Sequence, residues 1–123
     1  MASRKLKTIY LERMTAKLSN LTPLEKERMD CVTEAANQLM KHYGLEHLKF
    51  DFCHSPGHLG LCHQGTLIEI DLFYILNASD EAVRNLVLHE IAHALVGPGH
   101  GHRQHWQNKA RELGVTWERR YHK

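Results

Sequence analysis

The residues of this chain that are best suited to chemistry lie in the run His89-Glu90-Ile91-Ala92-His93. On an α-helix, residues at i and i+4 share one face, so the imidazoles of His89 and His93 can converge on one point. Two neutral imidazoles are two of the three protein ligands of a catalytic zinc ion. Glu90 points along a different side of the helix, from which its carboxylate can reach a metal-bound water without ligating the metal. The pattern therefore predicts a Zn²⁺ site that includes His89 and His93, with Glu90 as the catalytic general base.

A third ligand is expected from the His-rich segment that follows this run. Gly97-Pro98-Gly99 ends the predicted helix, and another helix is predicted from about Arg103, so the chain turns back toward the first two histidines. We favour His102, because it lies at the entry of the second helix and one turn before Trp106, whose ring would anchor that helix. The alternatives that the sequence leaves open are His100, His105 and Glu112.

Two well-delimited helices are predicted around these residues. The helix that carries the two histidines begins at a cap formed by Asn77 or Ser79 and ends at Gly97. Apolar residues cover most of its surface, which indicates burial in the centre of the domain. An earlier helix is predicted from the capping box Thr22-Pro23-Leu24-Glu25 and ends at Gly44.

Between Leu48 and Leu72 the apolar residues alternate with polar ones, which is the period of β-strands. Ser55-Pro56-Gly57 and Gln64-Gly65 are predicted turns, and these short connections favour a three-stranded antiparallel sheet. The predicted fold class is therefore α+β, with a small antiparallel sheet packed on helices, one of which carries the His-Glu-x-x-His motif. Such a sheet has an edge strand beside that helix, and an extended peptide can pair with an edge strand.

Five residues of metal-binding type cluster around the first predicted hairpin: Cys53, His54, His58, Cys62 and His63. Their types suit zinc, but they contain no Cys-x-x-Cys pair, and strand alternation would place Cys62 and His63 on opposite faces. We expect them to be residues of the hairpin rather than a second, structural metal site. The cysteines are then small buried hydrophobic residues.

The length of 123 residues predicts one domain with a single core, spanning 1–123, with a basic N-terminal segment at 1–20 and a basic tail at 115–123. Hydrophobic residues make up 42% of the chain and charged residues 24%, as in soluble globular proteins. The apolar runs are far shorter than a membrane span, and the N-terminus has no signal-peptide pattern, so we expect a cytoplasmic protein without a membrane partner. The three cysteines are then expected to be reduced thiols.

Both ends of the chain are basic. Residues 1–20 contain five basic residues and one acidic residue, and residues 103–123 contain six basic residues and two acidic ones. Basic flanks can contact nucleic acid, although such segments are more often simply solvated. DNA contact through the ends is therefore a hypothesis about partners. The apolar residues within 1–20 are also compatible with a short amphipathic helix.

The stretch from about Gly60 to Gly114 resembles the catalytic core of the SprT-like zinc metallopeptidases, close to minimal single-domain gluzincin-type enzymes. The matching features are Leu61-Cys62 and Ile68-Glu69-Ile70 in a hairpin, the run from His89 to Leu95, and His102 with Trp106 in place of the family's His-Gly-x-x-aromatic motif. Arg103 stands where the family usually has glycine. The resemblance implies that His89, His93 and His102 hold Zn²⁺ and that Glu90 is the catalytic base.

The expected function is that of a zinc-dependent metalloendopeptidase, which hydrolyses peptide bonds of protein or peptide substrates by Glu-assisted attack of a zinc-bound water. The basic ends add DNA-associated proteins as a hypothetical substrate class. Glu69 or Asp71 could orient the imidazoles as second partners. Two alternatives belong to other classes: a zinc-binding module without proteolytic activity, and a small basic nucleic-acid-binding protein whose histidines are incidental.

Overall fold

A computed structural model describes residues 2–55, 57–99 and 101–116 of the chain. In these residues, five helices and a three-stranded sheet form a mixed α/β arrangement. In chain order the elements are α1 (Ala2–Ser19), α2 (Pro23–His42), β1 (Lys49–Cys53), β2 (Gly60–His63), β3 (Leu67–Asp71), α3 (Leu72–Asn77), α4 (Asp80–Val96) and α5 (Gln104–Glu112). None of the helices described is both long enough and apolar enough to cross a membrane.

The predicted capping box at the start of α2 is confirmed. The Thr22 hydroxyl accepts a hydrogen bond from the backbone N–H of Glu25 (3.1 Å), and the Glu25 carboxylate accepts one from the backbone N–H of Thr22 (3.0 Å). Pro23 occupies the first helical position. The helix ends at Tyr43, and Gly44 follows with a φ of 76°, a value that glycine adopts without steric cost.

The three-stranded sheet is mixed, so the prediction of a wholly antiparallel sheet is wrong in part. The strand order is β1-β3-β2. β2 and β3 form the predicted antiparallel hairpin, joined by a tight turn at residues 64–66. β1, however, pairs with β3 and runs parallel to it, with Phe50 opposite Ile68 and Phe52 opposite Ile70. Both β1 and β2 are therefore edge strands.

The sheet order differs from the prediction because the connection between β1 and β2 does not form a hairpin. Instead, the two ends of this connection, His54 and Leu59, both bond to Asp71 at the end of β3. The backbone N–H of Asp71 donates to the Leu59 carbonyl (2.7 Å), and the Asp71 Oδ2 lies 2.7 Å from the Nδ1 of His54. β3 consequently takes the central place, where its Ile68 and Ile70 are fully buried.

Asp71 also starts α3, a six-residue helix that the sequence analysis did not predict. Its Oδ1 accepts a hydrogen bond from the backbone N–H of Tyr74 (3.0 Å), which is the interaction of an N-cap residue. Leu72 had been assigned to the strand because it continues the alternation of Ile68 and Ile70. It belongs to α3 and is buried in the same core.

α4 lies against the sheet and carries the His-Glu-x-x-His run through the centre of the molecule. Ser79 caps its start, since the Ser79 hydroxyl accepts from the backbone N–H of Ala82 (3.1 Å). The helix packs against α2, β2, β3 and α5, which explains why apolar residues cover most of its surface. The main core joins buried residues of α2, the sheet, α3 and α4, among them Met40, Ile68, Ile75, Leu86 and Ile91.

Candidate metal centre

α4 brings His89 and His93 onto one face, as the helical spacing predicts. Their ring centroids are 5.1 Å apart, and the faces of the rings are inclined by 61°. His89 is buried and His93 is half-buried, so the pair lies at the boundary between the core and a cavity. Helix geometry thereby places the two imidazoles beside each other.

His102 is the histidine that the chain returns to this pair. α4 ends at Gly97, and Gly97 and Gly99 have φ values of 84° and 87°, which lets the chain reverse sharply before α5. The Nε2 of His102 lies 3.2 Å from the Nε2 of His89, and its ring centroid lies 4.9 Å from that of His93. One potential ligand atom from each of the three histidines falls within 4.8 Å of the others.

This donor set fits a transition-metal ion. Neutral imidazoles suit zinc, copper, iron and nickel, and three of them leave a coordination position open. In a tetrahedral site with metal–nitrogen distances of about 2.0–2.1 Å, neighbouring ligand nitrogens are about 3.3 Å apart. The His89–His102 separation of 3.2 Å matches that value. Burial lowers the pKa of His102, which favours the neutral form that binds a metal.

The other candidates for the third ligand do not join the cluster. His105 is exposed on α5, and Glu112 is exposed near the end of that helix, where its carboxylate lies 3.0 Å from the Nζ of Lys109. His100 lies outside the described residues. Of the candidates that the structure describes, His102 alone approaches His89 and His93.

Three side chains from other segments fix the backbone around the histidines. The indole N–H of Trp106, which is fully buried, donates to the carbonyl of His89 (3.2 Å), and its ring stacks on His93 at a centroid distance of 5.1 Å. Gln64, in the turn between β2 and β3, donates its amide N–H to the carbonyl of His93 (2.9 Å). Gln107 donates to the carbonyl of His102 (2.8 Å). Trp106 had been predicted as an anchor, whereas the two glutamines had not.

Glu90 lies beside the trio without joining it. The residue is 4% exposed, and its Oε2 is 3.8 Å from the Nε2 of His89, which is longer than a hydrogen bond. Burial raises the pKa of the Glu90 carboxyl to about 8 in the metal-free protein, because removal from water disfavours the charged form. The carboxylate is therefore placed next to the metal ligands in an environment suited to proton transfer near neutral pH.

The trio and Glu90 line a cavity of about 300 Å³ that opens along β2. The strand side of the cavity is formed by residues 57–62 and by Gln64, and the helix side by α4. A larger apolar groove of about 680 Å³ lies between α2 and α4, where Arg28 pairs with Asp80. No histidine lines the large groove, whereas all three histidines of the trio line the smaller cavity.

The five residues around the first predicted hairpin do not come together as a metal site. In the described part of the chain, the trio of His89, His93 and His102 is the only group of three or more metal-binding side chains. His54 pairs with Asp71 (2.7 Å) and His63 pairs with Glu69 (2.6 Å). The two carboxylates that had been considered as partners of the zinc ligands thus pair with histidines of the sheet.

The cysteines of this region are free thiols with raised pKa values. Burial is the main cause for both, raising the pKa of Cys53 to about 12 and that of Cys62 to about 11. The negative charge of Glu90 contributes to the shift of Cys62, which also lines the cavity. Both thiols are therefore unreactive as nucleophiles near neutral pH.

Comparisons with known proteins do not add to this description. No family model matches the chain, and no curated protein or solved structure matches it either.

Proposed function

We propose that this protein is a zinc-dependent endopeptidase of the SprT-like type. The observation that carries the proposal is the convergence of three imidazoles beside a buried carboxylate, in a cavity bordered by an edge strand. These are the parts that metal-assisted hydrolysis of a peptide needs: a cation site, a proton acceptor and a place for an extended substrate.

His89, His93 and His102 would hold the zinc ion. When bound, zinc supplies Lewis acidity, which polarises a carbonyl oxygen and lowers the pKa of water. The protein contributes the ligand geometry. The Trp106 indole N–H donates to the carbonyl of His89, and the Gln64 amide donates to the carbonyl of His93. These hydrogen bonds hold in place the backbone that carries the two imidazoles.

Glu90 acts as the general base in this proposal. Its carboxylate accepts a proton from the attacking water at Oε2, and it returns the proton to the amine that leaves when the peptide bond breaks. A cation held by the three histidines would favour the charged form of the carboxylate, which is the form that accepts a proton.

The edge strand β2 gives the substrate a place to bind. Leu59 forms a backbone hydrogen bond with Asp71 of β3, so by the alternation of an antiparallel ladder Gly60 and Cys62 direct their backbone groups away from β3. An extended peptide can pair with these groups and lie across the cavity. Unfolded or flexible segments of proteins are the substrates with this shape. The basic segments 1–20 and 103–123 support DNA-associated proteins as a source of them.

The test compares the wild type with Glu90→Gln, which retains the size of the side chain and removes its basicity. Both proteins should bind about one zinc ion per chain, whereas casein hydrolysis by the variant should fall at least about 100-fold. Metal analysis and a casein assay measure the two quantities. A Glu90→Gln variant that cleaves casein as fast as the wild type would refute the role of Glu90. Zinc binding by a wild type that cleaves neither casein nor itself would favour the inactive zinc-binding module.

A further inference from the structure

Gly60 differs from every other glycine of the chain. The seven other glycines have positive φ values between 52° and 87°, and a Cβ atom added to any of them would meet no atom within 4 Å. Their backbone conformation explains why glycine is present. Gly60 has no such conformation, since it is the first residue of the extended strand β2. Another property must therefore account for the glycine at this position.

That property is the lack of space for a side chain at Gly60. A Cβ atom on Gly60 would lie 2.8 Å from the Oε2 of Glu90, and 3.1 Å from both its Cδ and its Cγ. The Glu90 side chain thus runs across the place that a methyl group would occupy. To accommodate a methyl group at this position, the Glu90 side chain would have to shift. A glycine inside a strand commonly marks such a close approach of another group.

We propose that Gly60 is a positioning residue for the Glu90 carboxylate, an inference that rests on the proposed function for its catalytic consequence. The missing side chain lets the carboxylate lie close to the backbone of Gly60, where Oε2 is 3.8 Å from the Nε2 of His89. The same strand offers its backbone to the substrate. Gly60 therefore sets the place of the base relative to the peptide bond as well as relative to the metal ligands.

The contact between the two residues is tested by unfolding the metal-free protein in urea. Gly60→Ala should lower the urea midpoint in the wild type and in the Glu90→Gln background, because glutamine has the same size as glutamate. In the Glu90→Ala background the same substitution should leave the midpoint unchanged or raise it, since the obstructing side chain is absent and alanine costs less backbone entropy. An equal drop of the midpoint in all three backgrounds would overturn the proposal.

The catalytic consequence is tested with the zinc-loaded Gly60→Ala protein. Zinc content should remain about one per chain, because all three histidines are retained. The kcat for a peptide substrate should fall about 10- to 100-fold, and KM should stay within about threefold of the wild type, as expected when a base is misplaced by about 1 Å. A raised KM with unchanged kcat would overturn the proposal and assign Gly60 to substrate binding. A wild type without hydrolysis would contradict the proposed function, while the unfolding experiment alone decides whether Gly60 positions Glu90.

Discussion

Two groups of histidines, one at the sheet and one on α4 and the segment before α5, are bonded in different ways. At the sheet, each histidine has its own carboxylate: His54 contacts Asp71 at 2.7 Å and His63 contacts Glu69 at 2.6 Å. In the second group, His89 lies 3.2 Å from the ring nitrogen of another histidine, His102. The carboxylate beside this second group, Glu90, lies 3.8 Å from the Nε2 of His89.

The difference separates a group of histidines that lies close enough to bind a metal ion from a collection of suitable residue types. A histidine paired with a carboxylate is stable without an ion, whether it is neutral or protonated. Three imidazoles that converge on one point lie close enough to bind a metal ion through their neutral ring nitrogens. The number of histidines near a hairpin therefore does not indicate an ability to bind a metal ion, whereas the convergence of their rings on one point does.

The largest expected effect is a loss of bound zinc, caused by a change in the histidine trio that leaves the histidine–carboxylate pairs intact. His93→Ala should reduce the bound zinc from about one per chain to less than about a tenth, because two imidazoles hold zinc poorly. His63→Ala, the matched change at the sheet, should leave zinc binding as in the wild type. Metal analysis after dialysis measures both. Equal zinc loss in the two variants would mean that the two groups are not separate.

A smaller effect on zinc affinity is expected from a change in Trp106, which hydrogen-bonds to the backbone of the trio. Trp106→Phe retains an aromatic ring but removes the N–H that donates to the His89 carbonyl. Zinc affinity should fall about tenfold, as is usual when a group that orients a metal ligand is lost. Gln104→Ala is the control on the same helix, because the Gln104 amide bonds to Asn108 at the surface. Competition with a zinc chelator measures the affinities, and an unchanged value for Trp106→Phe would contradict this role of the indole.

The features that could be predicted from the sequence are those set by local geometry. The Thr22–Glu25 capping box and the helical spacing of His89 and His93 depend on neighbours in the chain, and the structure contains both as predicted. The sheet order could not be predicted in this way. It depends on Asp71, which bonds to both ends of the connection between β1 and β2 and caps α3 at the same time.

The surroundings of the site were predicted less well than the histidines themselves. Gln64 and Gln107 act on backbone carbonyls, and a glutamine that does so has no signature in a sequence. His102 had three competitors because the glycine-broken segment before α5 has no periodicity from which its register follows. Gly60 did have a signal, since a glycine inside an alternating strand pattern indicates close approach of another group.

The smallest effect is expected on the free energy of unfolding, from a change in one of the histidine–carboxylate pairs. His54→Ala removes the partner of Asp71 and the ring contacts with Tyr10 and Phe73, whose centroids lie 4.7 and 4.5 Å from the His54 ring. Because Asp71 is buried, the free energy of unfolding should fall by about 1–3 kcal/mol. Zinc affinity should remain that of the wild type, because the trio retains all its ligands.

Urea unfolding and zinc titration of the same His54→Ala protein measure the two quantities, and His47→Ala, a change at an exposed histidine, is the control. If His54→Ala lowered the zinc affinity as much as Trp106→Phe does, a displacement of Asp71 would have to shift β3 and, with it, the three histidines. A loss of stability alone would mean that the carboxylates at the sheet stabilise the fold. Zinc binding by the three imidazoles would then be independent of those carboxylates.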